Sequence, residues 1–395
     1  MGPNLLIDKS TIQSLPHEEI VFLYKHYSVI LPPVLIVEVI ADYSKYKDAT
    51  EASNRVGVLA SKLDDYVNID YRHLVIKELT GARFPMDGRP IVEPTGVGYT
   101  NNGKKFVLVE ESPWQIAARH WQEGNFTPED IKFAQIYRSQ RDAISVAELA
   151  QELAKDAVLP KFKNLDEVVQ FILKALAHPN PSFQTEGILA WLNFLGVYEG
   201  FKKQVIKRWE QAGKPLFSRF LPYGFYCYSI LSVVAVAMTQ KLVPTGKSSH
   251  LFVDLEYLFY LPFCQVFCSS DRFHQSLAPY FMKTRQVLIN GQDLKEDLRN
   301  IAKHWNGLQE DERSQFAINN RHRPPRLDSS PTSRCWDLFM NPDYPKAKAD
   351  IQLTEDKKRK ILEKIKTGLA SAKENKRTIE GPEYQLYTKD NGQDK

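Results

Sequence analysis

The chain lacks the features that announce the commonest enzyme chemistries. It has 4 cysteines in 395 residues. Only Cys264 and Cys268 stand close together, and no histidine or further cysteine falls at zinc-ligand spacing, which excludes a zinc finger or ribbon. The four therefore read as buried free thiols that pack like small apolar side chains. With no disulfide framework and no signal peptide at its start, the sequence points to a reducing, cytoplasmic setting. No glycine-rich phosphate loop is present, because Gly96-Val-Gly98 follows no strand pattern, so a P-loop or dinucleotide fingerprint is excluded. There is no nucleophile elbow and no Ser, His and Asp in an order that suggests a hydrolytic triad. Nor is there a repeat of solenoid type.

A long hydrophobic run is missing too. Tyr223 to Thr239 carries no charge, but Gly224, Ser229 and Ser232 interrupt it, and a bilayer needs about 20 apolar residues. It reads as a helix buried on both sides in a soluble core, with no membrane contact. An excess of one charge is also lacking. The 52 basic and 48 acidic residues leave +4, which is compatible with nucleic acid without pointing to it.

What is present is an ordinary globular composition, 43% hydrophobic and 25% charged, long enough for several domains or one core with a large insertion. Residues 4 to 8 read as a buried strand. Ser10 then caps a helical stretch from Thr11 to Tyr27, broken at Pro16. A second strand covers Val29 to Leu31, and Pro33 opens a helix from Val34 to about Tyr46. Strand and helix alternating over forty-odd residues begins an α/β fold with a parallel sheet. From Asp48 the pattern changes. Ala52 to Leu63 reads as helix and Phe106 to Val109 as an isolated strand or hairpin partner. From Pro113 the chain is helical for over a hundred residues, with helix starts at Thr127, Asn164 and about Ser182. The aromatic stripe of Trp191, Phe194, Leu195, Tyr198 and Phe201 reads as core.

Alternation resumes at Ser248. Residues 250 to 261 fit a helix or a strand equally, since nearly all are apolar. Then come a strand at Gln265 to Ser269, a helix at Asp271 to Phe281, a strand at Gln286 to Ile289 and a helix at Asp293 to Trp305. Beyond Trp305 the chain turns polar: Arg321 to Arg326 and Asp328 to Ser333 have loop composition. Residues 355 to 377 read as a lysine-rich helix, and the last five as disordered.

Four carboxylates stand at the ends or flanks of these apolar elements: Asp8, Glu38, Asp254 and Asp271. In an open α/β sheet the carboxyl ends of the strands are where ligands bind. Carboxylates brought together there repel one another unless a cation neutralises them. Such a set of hard oxygens suits Mg²⁺ or Mn²⁺. Each acid has a plainer reading. Asp8 alone is a helix cap and Glu38 alone a solvated helix position, while Asp254 sits among apolar neighbours where an unpaired acid is costly. Glu256 stands in for Asp254 if residues 250 to 261 form a strand. His274 reads as a surface residue, with phosphate contact as the alternative. Lys357 to Arg377, and the loop arginines Arg321, Arg323 and Arg326, either follow a nucleic-acid backbone or are simply solvated.

Asp8-Lys-Ser10 after Leu-Leu-Ile, and Leu31-Pro-Pro-Val-Leu-Ile-Val-Glu38, resemble the two N-terminal acidic motifs of the PIN-domain nucleases. Asp254, followed seventeen residues later by Ser269-Ser-Asp271, resembles their C-terminal pair. The resemblance covers roughly residues 3–47 and 248–306. It implies a PIN-like three-layer α/β/α sandwich with a parallel sheet, and a Mg²⁺- or Mn²⁺-dependent endonuclease, most often a ribonuclease. Asp8, Glu38, Asp254 and Asp271 would be the metal-binding, catalytic acids. Ser10 and Ser269 would be supporting hydroxyls that orient them. The organisation expected is a PIN-like core in two parts, 1–47 and 248–306, a mostly helical insertion at 48–247, and a polar extension at 307–395. The partner expected is nucleic acid, RNA foremost, with a protein partner on the insertion also open. The alternative function is a non-catalytic PIN-like scaffold that binds a partner through its helical region.

Overall fold

The computed structural model describes residues 2–63, 67–92, 96–99, 105–108, 112–141, 159–243, 248–320 and 322–340. The described residues all fall in one compact unit, within residues 1–342. The basic stretch 355–377 and the chain end lie outside the described residues.

Strand β1 (Asn4–Ile7) is apolar after its first residue, with Leu5, Leu6 and Ile7 fully buried. A strand buried on both faces has nothing to alternate against, and this favours the middle of a parallel sheet. It pairs in parallel with β2 (Ser28–Ile30) on one side, Leu5 opposite Val29. The two remaining short strands of the first half, β3 (Gly96–Tyr99) and β4 (Lys105–Leu108), form a separate antiparallel hairpin. On its other side β1 pairs with β5 (Val266–Ser269), Leu5 opposite Val266 and Ile7 opposite Cys268. Strand β6 (Val287–Asn290) completes the sheet beside β5, giving the order β2-β1-β5-β6, all parallel. The fold is α/β with a small parallel sheet in a mostly helical chain.

That order contains a reversal. From β1 the chain moves outward to β2, then returns to the other side of β1 for β5 and β6. Ligands of open parallel sheets collect at such a reversal, where connections from neighbouring strands diverge and leave a crevice beyond their carboxyl ends. Here the reversal lies between β1 and β5.

The helices cover the sheet in groups. His17–His26 packs on Gly291–Gly307, which also carries Pro331–Phe339. Pro33–Ala41 and Arg272–Phe281 both pack against Ser248–Phe259. Pro33–Ala41 is buried along its whole length, Glu38 included, which requires a partner for that acid. The uncharged helix Pro222–Thr239 is long and apolar enough by composition to span a bilayer, yet most of it is buried within the fold. Its start is capped from a distance. Glu78, buried on Tyr71–Leu79, accepts from the backbone N–H of Tyr223 at 2.9 Å and of Gly224 at 2.8 Å. Burial pushes the Glu78 carboxyl up, against the two N–H groups and the nearby Arg83 and Arg208. Gly224 is needed there because a Cβ would stand 2.8 Å from Trp191 Nε1.

Several expectations are corrected. Ser10 does not cap the first helix: Asp8 does, accepting from Thr11 N at 2.8 Å, so the helix starts at Lys9. Pro33–Ala41 ends earlier than expected, and Asp42 falls in a 3-10 turn, Asp42–Lys45. Tyr198 is not core but 70% exposed, because it precedes Glu199–Gln211 rather than continuing the stripe. The helix expected at about Ser182 is borne out: it starts at Pro181, capped by Asn180. Residues 250 to 261 are helical, within Ser248–Phe259 and a short 3-10 turn. The polar extension also holds more structure than its composition suggests, with helices Glu310–Asn320 and Pro331–Phe339. In the second, Ser330 accepts from Ser333 N at 3.1 Å, Pro331 takes the first position, and Asp297 Oδ2 accepts from the buried Thr332 N at 2.9 Å. Asp328 to Ser333 has loop composition because it holds a turn and a cap. The four thiols are buried and free, in line with expectation.

Replacing Glu78 by Ala would leave two buried N–H groups without acceptors, at a cost of about 2–3 kcal/mol. Urea denaturation should show that loss, with a smaller one for Glu78→Gln; wild-type stability in Glu78→Ala would contradict the capping role.

Candidate functional site

Asp8 stands immediately after β1 and is held there by the sheet, its N–H donating to the Cys268 carbonyl of β5 at 3.2 Å. Its carboxylate is 3% exposed as a residue and takes three donors. Oδ1 accepts from Thr11 N; Oδ2 accepts from Ser10 Oγ at 3.0 Å and from Ser269 Oγ at 2.6 Å. Ser269 closes β5, so one hydroxyl joins the ends of the two strands that flank the reversal. Asp271, two residues on, caps Arg272–Phe281 through Phe273 N at 2.6 Å, and its own N–H donates to Ser269 Oγ at 3.0 Å.

A cavity of about 150 Å³ opens at this point, lined by Asp8, Glu38, Asp254 and Asp271 together with Lys9, Tyr257 and His274 among others. All four acids singled out from the sequence thus face one space. Asp254 is half-buried and one turn before Tyr257, and the helix directs both into the cavity. Glu256 does not line it. It is buried on another face of the same helix, 3.3 Å from Arg72, and burial pushes its carboxyl up to about 8 against that guanidinium. Glu38 Oε2 accepts from Tyr257 OH at 2.8 Å.

His274 is a correction: it is 1% exposed, not a surface residue. Its Nε2 lies 2.8 Å from the Asp254 backbone carbonyl, which only accepts, and its Nδ1 lies 2.8 Å from Ser269 Oγ. Because the Ser269 proton is committed to Asp8, the serine oxygen accepts from His274. Both ring nitrogens therefore donate, and the side chain is an imidazolium. Burial opposes the charge on His274, but the hydrogen bond and field of Asp8 outweigh it and hold the pKa above the ordinary value. Burial likewise opposes the charge on Asp8, and the His274 interaction overcomes it and holds the carboxyl low. The ring nitrogen and carboxylate are 3.7 Å apart across the serine.

Lys9 is the second cation. Its Nζ donates to the Glu38 carbonyl at 3.0 Å and pairs with Asp42 at 2.6 Å, and burial depresses its pKa against those two acids. Sequence reasoning passed over Lys9 and Tyr257. The signals for them were weak: Lys9 adjoins Asp8, and Tyr257 is i+3 from Asp254 in an apolar run. Gly291, opening Gly291–Gly307, packs so closely that a Cβ would meet Ser270 Oγ at 2.3 Å and Thr11 Oγ1 at 2.4 Å.

The donor set is of the kind Mg²⁺ and Mn²⁺ take, carboxylate oxygens with room left for water. The oxygens are not gathered into a ready ligand set, since among the described residues no group of three or more His, Cys, Asp or Glu stands in metal-holding geometry. Asp8 and Glu38 instead satisfy their oxygens with Ser10, Ser269, Thr11 and Tyr257. Asp8 can still accept one more bond, because a carboxylate offers about four lone-pair sites.

The buried pair gives a pH signature. Asp8 is held below its ordinary 3.8, so its contribution is present above that value and lost as pH falls. His274 is held above its ordinary 6.5, so its contribution is complete below 6.5 and lost as pH rises through the folded value. Stability measured by urea denaturation across pH should be greatest between those limits. His274→Gln should flatten the alkaline side, and an unchanged profile would contradict the imidazolium assignment.

Compared with models of known protein families, with curated proteins and with solved structures, the chain gives no match.

Proposed function

We propose that the chain has a PIN-like three-layer α/β/α core and is a Mg²⁺- or Mn²⁺-dependent endoribonuclease that hydrolyses phosphodiesters at the carboxylate cavity. The observation that carries this reading is the convergence of Asp8, Glu38, Asp254 and Asp271 on one cavity at the reversal between β1 and β5. These acids come from four separate elements and line one cavity, and Lys9 and His274 are the cations that line it with them, so a divalent ion would have further carboxylate charge to neutralise.

Asp8, Glu38, Asp254 and Asp271 would hold the ion, which when bound would supply a water activated for attack on phosphorus and charge for the leaving oxygen. The chain's own residues set the stage for it. Ser269 and Ser10 fix the direction of the Asp8 carboxylate, and His274 fixes Ser269 and the Asp254 backbone with its two N–H groups. Tyr257 holds Glu38. Lys9 keeps its charge beside the acids by pairing with Asp42, and so limits their mutual repulsion.

A second reading is a non-catalytic PIN-like scaffold. It is favoured by the neutral partners already on Asp8 and Glu38, and by Phe171, Phe183 and Tyr198, which stand exposed on the helical region where a partner could bind.

RNA cleavage in Mn²⁺ or Mg²⁺ separates the two. Asp8→Asn and Asp254→Asn should each slow cleavage by roughly 100-fold or more, the size of effect seen when a principal charge-stabilising group is removed. Equal cleavage by wild type and variants, or none by folded wild type on varied substrates, would retire the nuclease reading.

A further inference from the structure

A larger cavity, about 740 Å³, lies at the carboxyl end of β6, and nothing in the preceding reading uses it. Its walls are the end of β6, the start of Gly291–Gly307 and the segment from Arg326 into Pro331–Phe339. Arg326 and Arg334 line it, both exposed, and neither has a salt-bridge partner among the described residues. By contrast Arg323 nearby is engaged with Asp337. Asn290, Asp293 and Asp337 also line it, the last held by Arg323, and Leu288 and Leu327 supply apolar surface.

The two cavities share an edge of the sheet. Asn290, in the wall of the larger one, is paired in register with Ser269, whose hydroxyl donates to Asp8. Ser269 and Asn290 thus end neighbouring strands, one beside the carboxylate cavity and one in the wall of the larger cavity.

We propose that the cavity between β6 and Pro331–Phe339 binds a nucleotide unit, with its phosphate on Arg326 and Arg334. The volume falls within the range of small-ligand sites, about 300–1,000 Å³. Two guanidiniums without an ion-pair partner among the described residues suit a phosphate, which they grip through paired N–H donors. Asn290 and Asp293 are placed to accept from base or ribose N–H and O–H groups, and the leucines offer a face for the base. This inference rests on the nuclease reading only for the source of the nucleotide, as part of an RNA strand rather than free.

The test is binding by the full-length chain in EDTA, which suppresses metal-dependent cleavage. A labelled single-stranded RNA decamer and adenosine monophosphate are the probes, and Arg326→Ala/Arg334→Ala is the variant. The expected result is RNA binding weakened at least tenfold in the variant, with the slope of log affinity against log salt reduced by about 1 to 2, as loss of one or two phosphate contacts requires. Adenosine monophosphate bound by wild type and lost in the variant also supports the site, and names a free nucleotide as its ligand. Both probes bound equally by wild type and variant, or neither bound by wild type, would overturn it. If the variant melts at a lower temperature, Arg326→Lys/Arg334→Lys decides: recovery of binding with the charge restored supports the site, and no recovery in a chain of wild-type melting temperature overturns it. RNA bound in EDTA by a chain that leaves the same RNA uncleaved in Mn²⁺ or Mg²⁺ retires the nuclease reading and leaves the site standing. Cleavage with binding unaltered in the variant does the reverse.

Discussion

The pairing of β1 with β5 is the constraint on which the rest depends. Leu5 sits opposite Val266 and Ile7 opposite Cys268, so two segments some 260 positions apart in the chain become neighbours in one sheet. Such a contact is costly to close, because a long loop must be ordered before any hydrogen bond rewards it. The buried apolar side chains of both strands, Leu5 to Ile7 and Val266 to Cys268, supply the drive. Once the pair has formed, Asp8 and Ser269 lie side by side at the strand ends, and the reversal of sheet order opens the crevice there.

The charges in that crevice are balanced locally. A buried carboxylate or imidazolium alone would give up its charge. Asp8 and His274 keep theirs by sharing the Ser269 hydroxyl, and Lys9 keeps its own through Asp42. Removing one partner would leave the other unpaired in low dielectric, which costs more than the pair contributes. Asp254 and Asp271 line the same space with less burial. The site therefore combines rigid acids, held by short hydrogen bonds at the strand ends, with more open ones on its rim.

Much of this was legible in the residues. The apolar runs Leu5 to Ile7 and Val266 to Cys268, each with an acid just beyond, identified parallel strands and the edge where a ligand would sit. The spacing of Asp8, Glu38, Asp254 and Asp271 relative to those runs was enough to bring them to one cavity. What stayed hidden depends on contacts distant in sequence. Whether Asp8 or Ser10 caps the first helix is decided by which side chain reaches Thr11 N. His274 could not be told from a surface histidine without knowing that Ser269 and the Asp254 carbonyl flank it. Glu78 reads as an ordinary helix acid until Tyr223 and Gly224 come against it. The helix after Ser330 was masked by its own cap, since Ser, Pro and Thr in sequence look like loop.

A divalent ion in the carboxylate cavity is the central claim, and crystals soaked in Mn²⁺ address it most directly through anomalous scattering. The account predicts a Mn²⁺ peak in the space bounded by Asp8, Glu38, Asp254 and Asp271, and its loss in Asp8→Asn/Asp254→Asn. A saturating soak that places no Mn²⁺ there, or leaves the same peak in the double variant, would contradict it.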